Sequence, residues 1–261
     1  MPYRKIDSVV KEQICQMYLD GYPGTQINQK FNINIKTVYA ILNKYKINIK
    51  SAEDCKRKYQ FNHNYFNVID CYEKAYWLGF IAEDGGIIGN ALIFNLSIMD
   101  KHLLERFKID IGSNHQIKSY KENFVNLTIT FKKLKESLAK LNISPAKSKI
   151  LSLTDKVPDQ YLNAYLLGLF DADGCFSIDK KRGIRFCLIG SAISMQQVQD
   201  ILIKKCGVNK NKLLKHPTKG IKNIQYFGGR QVRRIVDYLY RDNKFCLARK
   251  KDIAYKFYNL N

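Results

Sequence analysis

Nowhere in this chain does an apolar run reach the roughly 18 residues that a membrane span needs, and the polar opening Met1–Asp7 does not read as a secretory signal. None of the seven cysteines, at 15, 55, 71, 175, 187, 206 and 246, stands in a Cys-x-x-Cys spacing. Their odd number and scatter speak against a disulfide framework and against a structural zinc site. They read instead as reduced cysteines of an intracellular compartment. The four histidines, His63, His102, His115 and His216, are equally dispersed. No Gly-x-x-x-x-Gly-Lys-Ser/Thr loop is present, so ATP is not expected. Acidic residues are also scarce: 23 Asp and Glu face 44 Lys and Arg, a formal net charge of +21. Such a surplus repels itself in the compact state and is rationalised by a polyanionic partner, with nucleic acid the default. An anionic membrane surface would call for a long amphipathic basic helix, and none is seen.

What is there suffices for real cores, since 46% of the 261 residues are hydrophobic. Residues 1–47 read as three short helices. Ser8 is placed to cap the first, with Val10, Ile14, Met17 and Tyr18 on one face. Thr25 is placed to cap the second, which carries Ile27 and Phe31. Asn32 stands where the chain must turn, since Asn tolerates the left-handed region. Asn34 is placed to cap the third, with Val38, Ile41 and Leu42 inward. The stretch from Thr25 to Leu42 resembles a helix-turn-helix of the resolvase type in its apolar positions Ile27, Phe31, Ile33, Val38, Ile41 and Leu42. It departs from that pattern at Asn28, usually a small residue, and at Asn32, usually glycine. The resemblance implies an outer face of the third helix carrying Ile35, Lys36, Thr37, Tyr39, Ala40, Asn43 and Lys44 toward a DNA major groove.

Residues 48–72 form a polar, Lys- and Asn-rich linker with one short strand expected at Tyr65–Ile69. Beyond it the chain repeats itself. The expected order is helix 74–84, strands 86–88 and 91–98, helix 101–109, strands 115–120 and 124–131, helix 134–141. It recurs as helix 162–173, strands 175–179 and 184–190, helix 195–206, strands 212–216 and 223–227, helix 230–239. Both halves read αββαββα, and paired strands with short links suit antiparallel sheets.

Each half opens on the same kind of segment, Ala75-Tyr-Trp-Leu-Gly-Phe-Ile-Ala-Glu-Asp-Gly-Gly86 and Ala164-Tyr-Leu-Leu-Gly-Leu-Phe-Asp-Ala-Asp-Gly-Cys175. These helices are apolar all round, so they must be buried. The small residues Gly79, Ala82, Gly168 and Ala172 would let them approach closely. Each ends in a carboxylate, Asp84 or Asp173, followed by Gly85 or Gly174, which can turn the chain at positive φ. A carboxylate at a helix C-terminus opposes the helix dipole, and two side by side repel each other. A divalent cation would relieve both penalties. Glu83 and Asp171 add carboxylate nearby, but the copies differ here: Ala82-Glu83 in one, Asp171-Ala172 in the other.

The segments Trp77–Gly85 and Leu166–Gly174 resemble the LAGLIDADG motif, and the resemblance extends over roughly residues 60–257. It implies an α+β fold of two pseudo-symmetric αββαββα half-domains with antiparallel DNA-binding sheets, here residues 73–155 and 156–261, beside an all-α helix-turn-helix domain over 1–47. It implies a homing endonuclease that binds a long duplex DNA site and hydrolyses one phosphodiester in each strand. Asp84 and Asp173 would be catalytic and would hold Mg²⁺, with Mn²⁺ able to substitute; hard oxygen ligands suit that ion. The segment Leu141-Asn-Ile-Ser-Pro-Ala-Lys147-Ser148 resembles the family's Pro-x-Lys-Ser stretch and Leu247-Ala-Arg-Lys250 its terminal Leu-x-Arg-Lys. Lys147 and Lys250 are therefore assigned the family's basic catalytic role, in competition with Lys149, Arg249 and Lys251.

The same resemblance points the sheets at the major groove. Lys118, Tyr120, Lys180, Lys181, Arg182, Arg185 and Lys222 become candidate DNA contacts, most of them to phosphate. Two motifs on one chain imply a monomer. Double-stranded DNA is the expected partner, with RNA only if a maturase role coexists. A non-cutting transcription regulator and an intron maturase are the alternatives. An intein is not expected, because Met1 is no nucleophile and Leu260-Asn261 lacks a preceding histidine. The reading implies the cytoplasm of a bacterium or of a phage-infected cell, or an organelle.

Overall fold

A computed structural model of the chain describes residues 6–20, 22–47, 49, 59–145, 150–242 and 244–259. The chain divides into two compact units, Met1–Gln60 and Phe61–Asn261. Among the described residues no helix is long and apolar enough to cross a membrane.

The first unit contains α1 (Ser8–Leu19), α2 (Gly24–Phe31) and α3 (Ile35–Lys44) around Ile14, Cys15, Tyr18, Ile27, Val38, Ile41 and Leu42. The turn between α2 and α3 follows from two asparagines. Asn32 takes φ 50°, ψ 48° and closes α2, and the Asn34 side chain accepts the Lys36 amide at 2.9 Å. The other two expected caps differ. Asp7 rather than Ser8 precedes α1, and no side chain caps it. Pro23 rather than Thr25 precedes α2. Its extended backbone aims its carbonyl at the Gln26 and Ile27 amides, at 2.9 and 3.2 Å, so the helix starts two residues early.

The second unit is a doubled αββαββα arrangement. The first half holds α4 (Tyr72–Asp84), β1 (Gly86–Ile88), β2 (Ala91–Ser97), α5 (Lys101–Asp110), β3 (Lys118–Tyr120), β4 (Phe124–Thr130) and α6 (Lys132–Ala139). The second holds α7 (Leu162–Asp173), β5 (Gly174–Asp179), β6 (Gly183–Ser191), α8 (Ala192–Cys206), β7 (Leu214–Lys215), β8 (Ile221–Phe227) and α9 (Gly229–Leu239), and α10 (Ala248–Tyr258) follows. Each half builds one antiparallel sheet, ordered β1-β2-β4-β3 and β5-β6-β8-β7. Strand alternation turns Leu92, Phe94, Leu96, Val125, Leu127 and Ile129 of the first sheet inward, and Phe176, Ile184, Phe186, Leu188, Ile224 and Tyr226 of the second.

Two expectations fail at the ends of this unit. Tyr65–Ile69 is not a strand but a run of turns, and Tyr65, Phe66 and Ile69 are buried in the core. The linker expected over 48–72 therefore gives way to core at its C-terminal end, where aromatic side chains find apolar cover that a polar reading of the stretch did not anticipate. The helix α10 was not expected at all. Only Lys250 and Ala254 are buried along it, so its sequence carries almost no apolar stripe.

Candidate active centre and nucleic-acid interface

The helices α4 and α7 meet through their glycines. A Cβ on Gly79 would collide with the Tyr165 carbonyl oxygen and stand 3.0 Å from the Leu169 amide. A Cβ on Gly168 would collide with the Tyr76 carbonyl oxygen and stand 2.8 Å from the Phe80 amide. Each partner residue lies 89 positions from its counterpart, so the two contacts are the same contact seen twice, as in a two-fold interface. This is the close approach expected from the sequence. The glycines after the helices act differently from expectation. Gly85 and Gly174 have φ −79° and −89°, not positive values. They are required by space: a Cβ on Gly85 would reach within 2.7 Å of the Ile81 carbonyl oxygen, and one on Gly174 would strike the Phe170 ring.

Asp84 and Asp173 are the last residues of α4 and α7, half-buried and exposed respectively. Both carboxylates act electrostatically on Lys250. Lys250 lies near the start of α10 and is 5% exposed. Its Nζ donates to the carbonyl oxygens of Phe170, Asp171 and Ala172 at 2.8, 2.7 and 3.3 Å. All three acceptors thus sit on the negative end of α7. Burial lowers its pKa, and the charges of Asp171, Asp84 and Asp173 oppose that.

Asp171 is 2% exposed. Its Oδ2 accepts the Tyr76 hydroxyl at 2.8 Å and the Leu247 amide at 2.7 Å. Burial pushes its pKa up to about 6, against the pull of those two donors and of Lys250 and Arg249. Glu83, from the other helix, lies against Gly190 of β6, where a Cβ would come within 3.1 Å of its carboxylate. Arg249 pairs with Asp100 through two bonds, Nε to Oδ1 at 3.2 Å and Nη2 to Oδ2 at 2.9 Å. Among the described residues no three His, Cys, Asp or Glu side chains gather as a metal cage. A pair of carboxylates fits Mg²⁺ nonetheless, because that ion is ordinarily held by one or two carboxylates with waters and substrate phosphate.

The outward faces of the two sheets differ in chemistry. On the first, Asn95 and Asn126 are register partners, and the Asn126 amide donates to Asn95 Oδ1 at 2.8 Å while Thr128 donates to Asn126 Oδ1 at 2.9 Å. Lys118 and Tyr120 flank them opposite Asn126 and Phe124. On the second, Arg185 donates to its register partner Ser177 at 2.9 Å, and Cys175 and Cys187 face each other. The Cys187 thiol donates to Asn223 Oδ1 at 3.3 Å. The neighbouring Cys187 thiol lowers the Cys175 pKa, with the Arg185 and Lys250 charges adding to it.

No known sequence family matches this chain, and no curated protein does. Solved structures do. The LAGLIDADG meganuclease I-AabMI bound to uncleaved DNA matches with a TM-score of 0.50 at 16% identity, over 70% of this chain and 88% of that one. Meganuclease I-SmaMI bound to an uncleavable DNA matches with a TM-score of 0.51 at 12% identity, over 70% and 88%. I-CpaMI bound to uncleaved DNA matches with a TM-score of 0.50 at 11% identity, over 71% of this chain and 89% of that one. The second unit has the fold of the LAGLIDADG meganucleases.

Within that meganuclease fold the candidate residues fall into three groups. Asp84 and Asp173 close α4 and α7, and the Lys250 ammonium is bonded to the end of α7, whereas Lys147 lies outside the described residues. Lys118, Tyr120 and Arg185 stand on outward sheet faces, and Lys180, Lys181 and Arg182 form the exposed turn between β5 and β6. Arg182 is engaged there, pairing with Asp179 at 3.1 Å and stacking 3.6 Å from the Phe227 ring centre. Lys222 departs from expectation. Alternation along β8 sets it on the side of Ile224 and Tyr226, away from Asn223 and Gln225, because the hairpin register rather than local charge decides the face. In the first unit Lys36, Asn43 and Lys44 are exposed and Thr37 is half-buried on α3. Tyr39 is half-buried too, its ring packed where a Cβ on Gly24 would meet its hydroxyl at 2.9 Å, so it faces α2 more than solvent.

Sequence reasoning passed over Tyr76, the Asn95–Asn126–Thr128 network and the Cys175–Cys187 pair. A signal existed for Tyr76, since Tyr165 occupies the matching place in the second motif. None existed for the network, whose members meet only through strand register.

Proposed function

We propose that this chain is a site-specific double-strand DNA endonuclease that works as a monomer with two half-sites. The observation that carries the reading is the pair of aspartates closing two helices that meet in a two-fold glycine contact, with polar sheet faces alongside. A pure DNA-binding protein has no use for two carboxylates held against helix dipoles where phosphates would lie. Asp84 and Asp173 would hold Mg²⁺, and Mn²⁺ in its place. The ion when bound supplies charge against the scissile phosphate and a more acidic water. Lys250 contributes a fixed positive charge beside the same groups, and Lys147 is the corresponding candidate of the first half. The sheets read the major groove through Lys118, Tyr120, Arg185 and the Asn95–Asn126–Thr128 network, while Lys180, Lys181 and Arg182 bind phosphate. The first unit acts as a helix-turn-helix that adds a tethered second contact through Lys36, Thr37, Asn43 and Lys44.

The test is cleavage of a duplex library with Mg²⁺, comparing wild type with Asp84→Asn and Asp173→Asn. Defined double-strand cuts by wild type, lost in each variant while binding persists, support the reading. A wild-type protein that binds a defined site yet never cuts, with Mg²⁺ or Mn²⁺, makes it a regulator instead.

A further inference from the structure

The last turn of α7 and the first turn of α10 are bonded to each other in both directions. Asp171 of α7 holds the amide of Leu247, the residue just before α10. Three residues on, Lys250 of α10 reaches back onto the carbonyls of Phe170, Asp171 and Ala172. Tyr76 of α4 shares the same Asp171 oxygen, so the opposite motif helix is part of the circuit. The other Asp171 oxygen is buried with no hydrogen-bond partner. An arrangement chosen for stability alone would not leave it so, since a buried carboxylate with an unsatisfied oxygen costs free energy that an apolar residue of similar size would avoid. What the carboxylate does secure is the place of the Leu247 backbone, and through it the place of Lys250 on the end of α7.

The first half differs at the matching positions. The residue matching Asp171 is Ala82, 1% exposed and without an acceptor. The tyrosine matching Tyr76 is Tyr165, whose hydroxyl takes a backbone hydrogen bond from Thr154 instead of meeting a carboxylate. The two halves thus share their helices and their terminal aspartates but not the buried carboxylate of Asp171.

We propose that Asp171 is a positioning residue that holds Lys250 at the end of α7, so that it serves the cutting of one strand of the DNA target rather than of both. This rests on the endonuclease reading given above. Asp171 acts through Lys250 and touches no substrate.

The experiment follows each strand separately, on a duplex labelled at both 5′ ends, under single turnover with Mg²⁺. Asp171→Asn is expected to slow one strand about 10-fold or more while the other strand and the Kd change little. Lys250→Gln should slow the same strand, and the double variant should be no worse than Lys250→Gln alone, since the two residues act in series. Should Asp171→Asn fail to fold, Tyr76→Phe carries the test: loss of one of two bonds to Asp171 should shift the strand ratio about 2-fold in the same direction. Equal slowing of both strands, an unchanged ratio, or full additivity of the double variant overturns the proposal. The endonuclease reading fails separately: there the wild-type protein itself cuts neither strand, and the positioning role falls with it.

Discussion

The two halves of the second unit agree in backbone and differ in the chemistry laid over it. Their motif helices meet through Gly79 and Gly168 in matching contacts, and their sheets have the same strand order. Yet the first sheet presents a neutral Asn95–Asn126–Thr128 network where the second presents Arg185 and two thiols. Asp171 is matched by Ala82. A repeated frame is therefore compatible with half-sites that recognise and treat their DNA differently. Parts fixed by main-chain contact have stayed alike, and parts fixed by side chains alone have diverged.

The largest effect should come from breaking what the halves share. Gly79→Ala and Gly168→Ala each force a methyl into the opposite backbone, and each should cost about 3 kcal/mol or more. Chemical denaturation of the two variants measures this; a large loss in only one of them would end the two-fold equivalence of the contact. A smaller effect should sharpen the contrast between the sheets. Arg185→Ala should weaken DNA binding and, because the groove contact it removes carries a positive charge, also lower the slope of affinity against salt by about 1. Asn126→Ala should instead relax sequence preference, at about 1–3 kcal/mol for a base it reads, and leave the salt slope unchanged. Equal salt slopes for the two variants would dissolve the distinction.

The smallest effect concerns His115, a buried histidine of the first half. Burial lowers its pKa below 6.5, and the Lys108 charge lowers it further. The neutral ring is the form the fold accepts, bonded to the Ser113 hydroxyl at 2.8 Å. Its contribution is therefore complete above pH 6.5 and declines as pH falls from there through the depressed folded value. A shallow acid-side loss of stability should appear in thermal melts and should vanish in His115→Gln.

The residues that were legible in the sequence are those whose role is local or repeated. Periodicity marked the helices, α7 to its exact ends, and the doubling of the apolar Gly-containing segment marked Gly79, Gly168, Asp84 and Asp173. Asn32 and Asn34 were legible because each acts on its own backbone. What escaped depends on partners far along the chain. Asp171 acquires its place from Leu247 and Tyr76, and Lys222 its face from a register set by the whole hairpin. Tyr65, Phe66 and Ile69 lay in a stretch whose polar neighbours hid a docking segment. The helix α10 escaped because it lacks an apolar stripe and is held by Lys250 and by the Arg249–Asp100 pair.

The glycine contact has a consequence for how such a protein can change. Because peptide groups, not side chains, touch where α4 crosses α7, the gap between the two helices has no adjustable filler. Asp84 and Asp173 then stand at the ends of a calliper whose jaws are locked at the hinge. Substitutions elsewhere can retune which bases the sheets prefer, while the span across which the paired carboxylates reach is inherited unaltered.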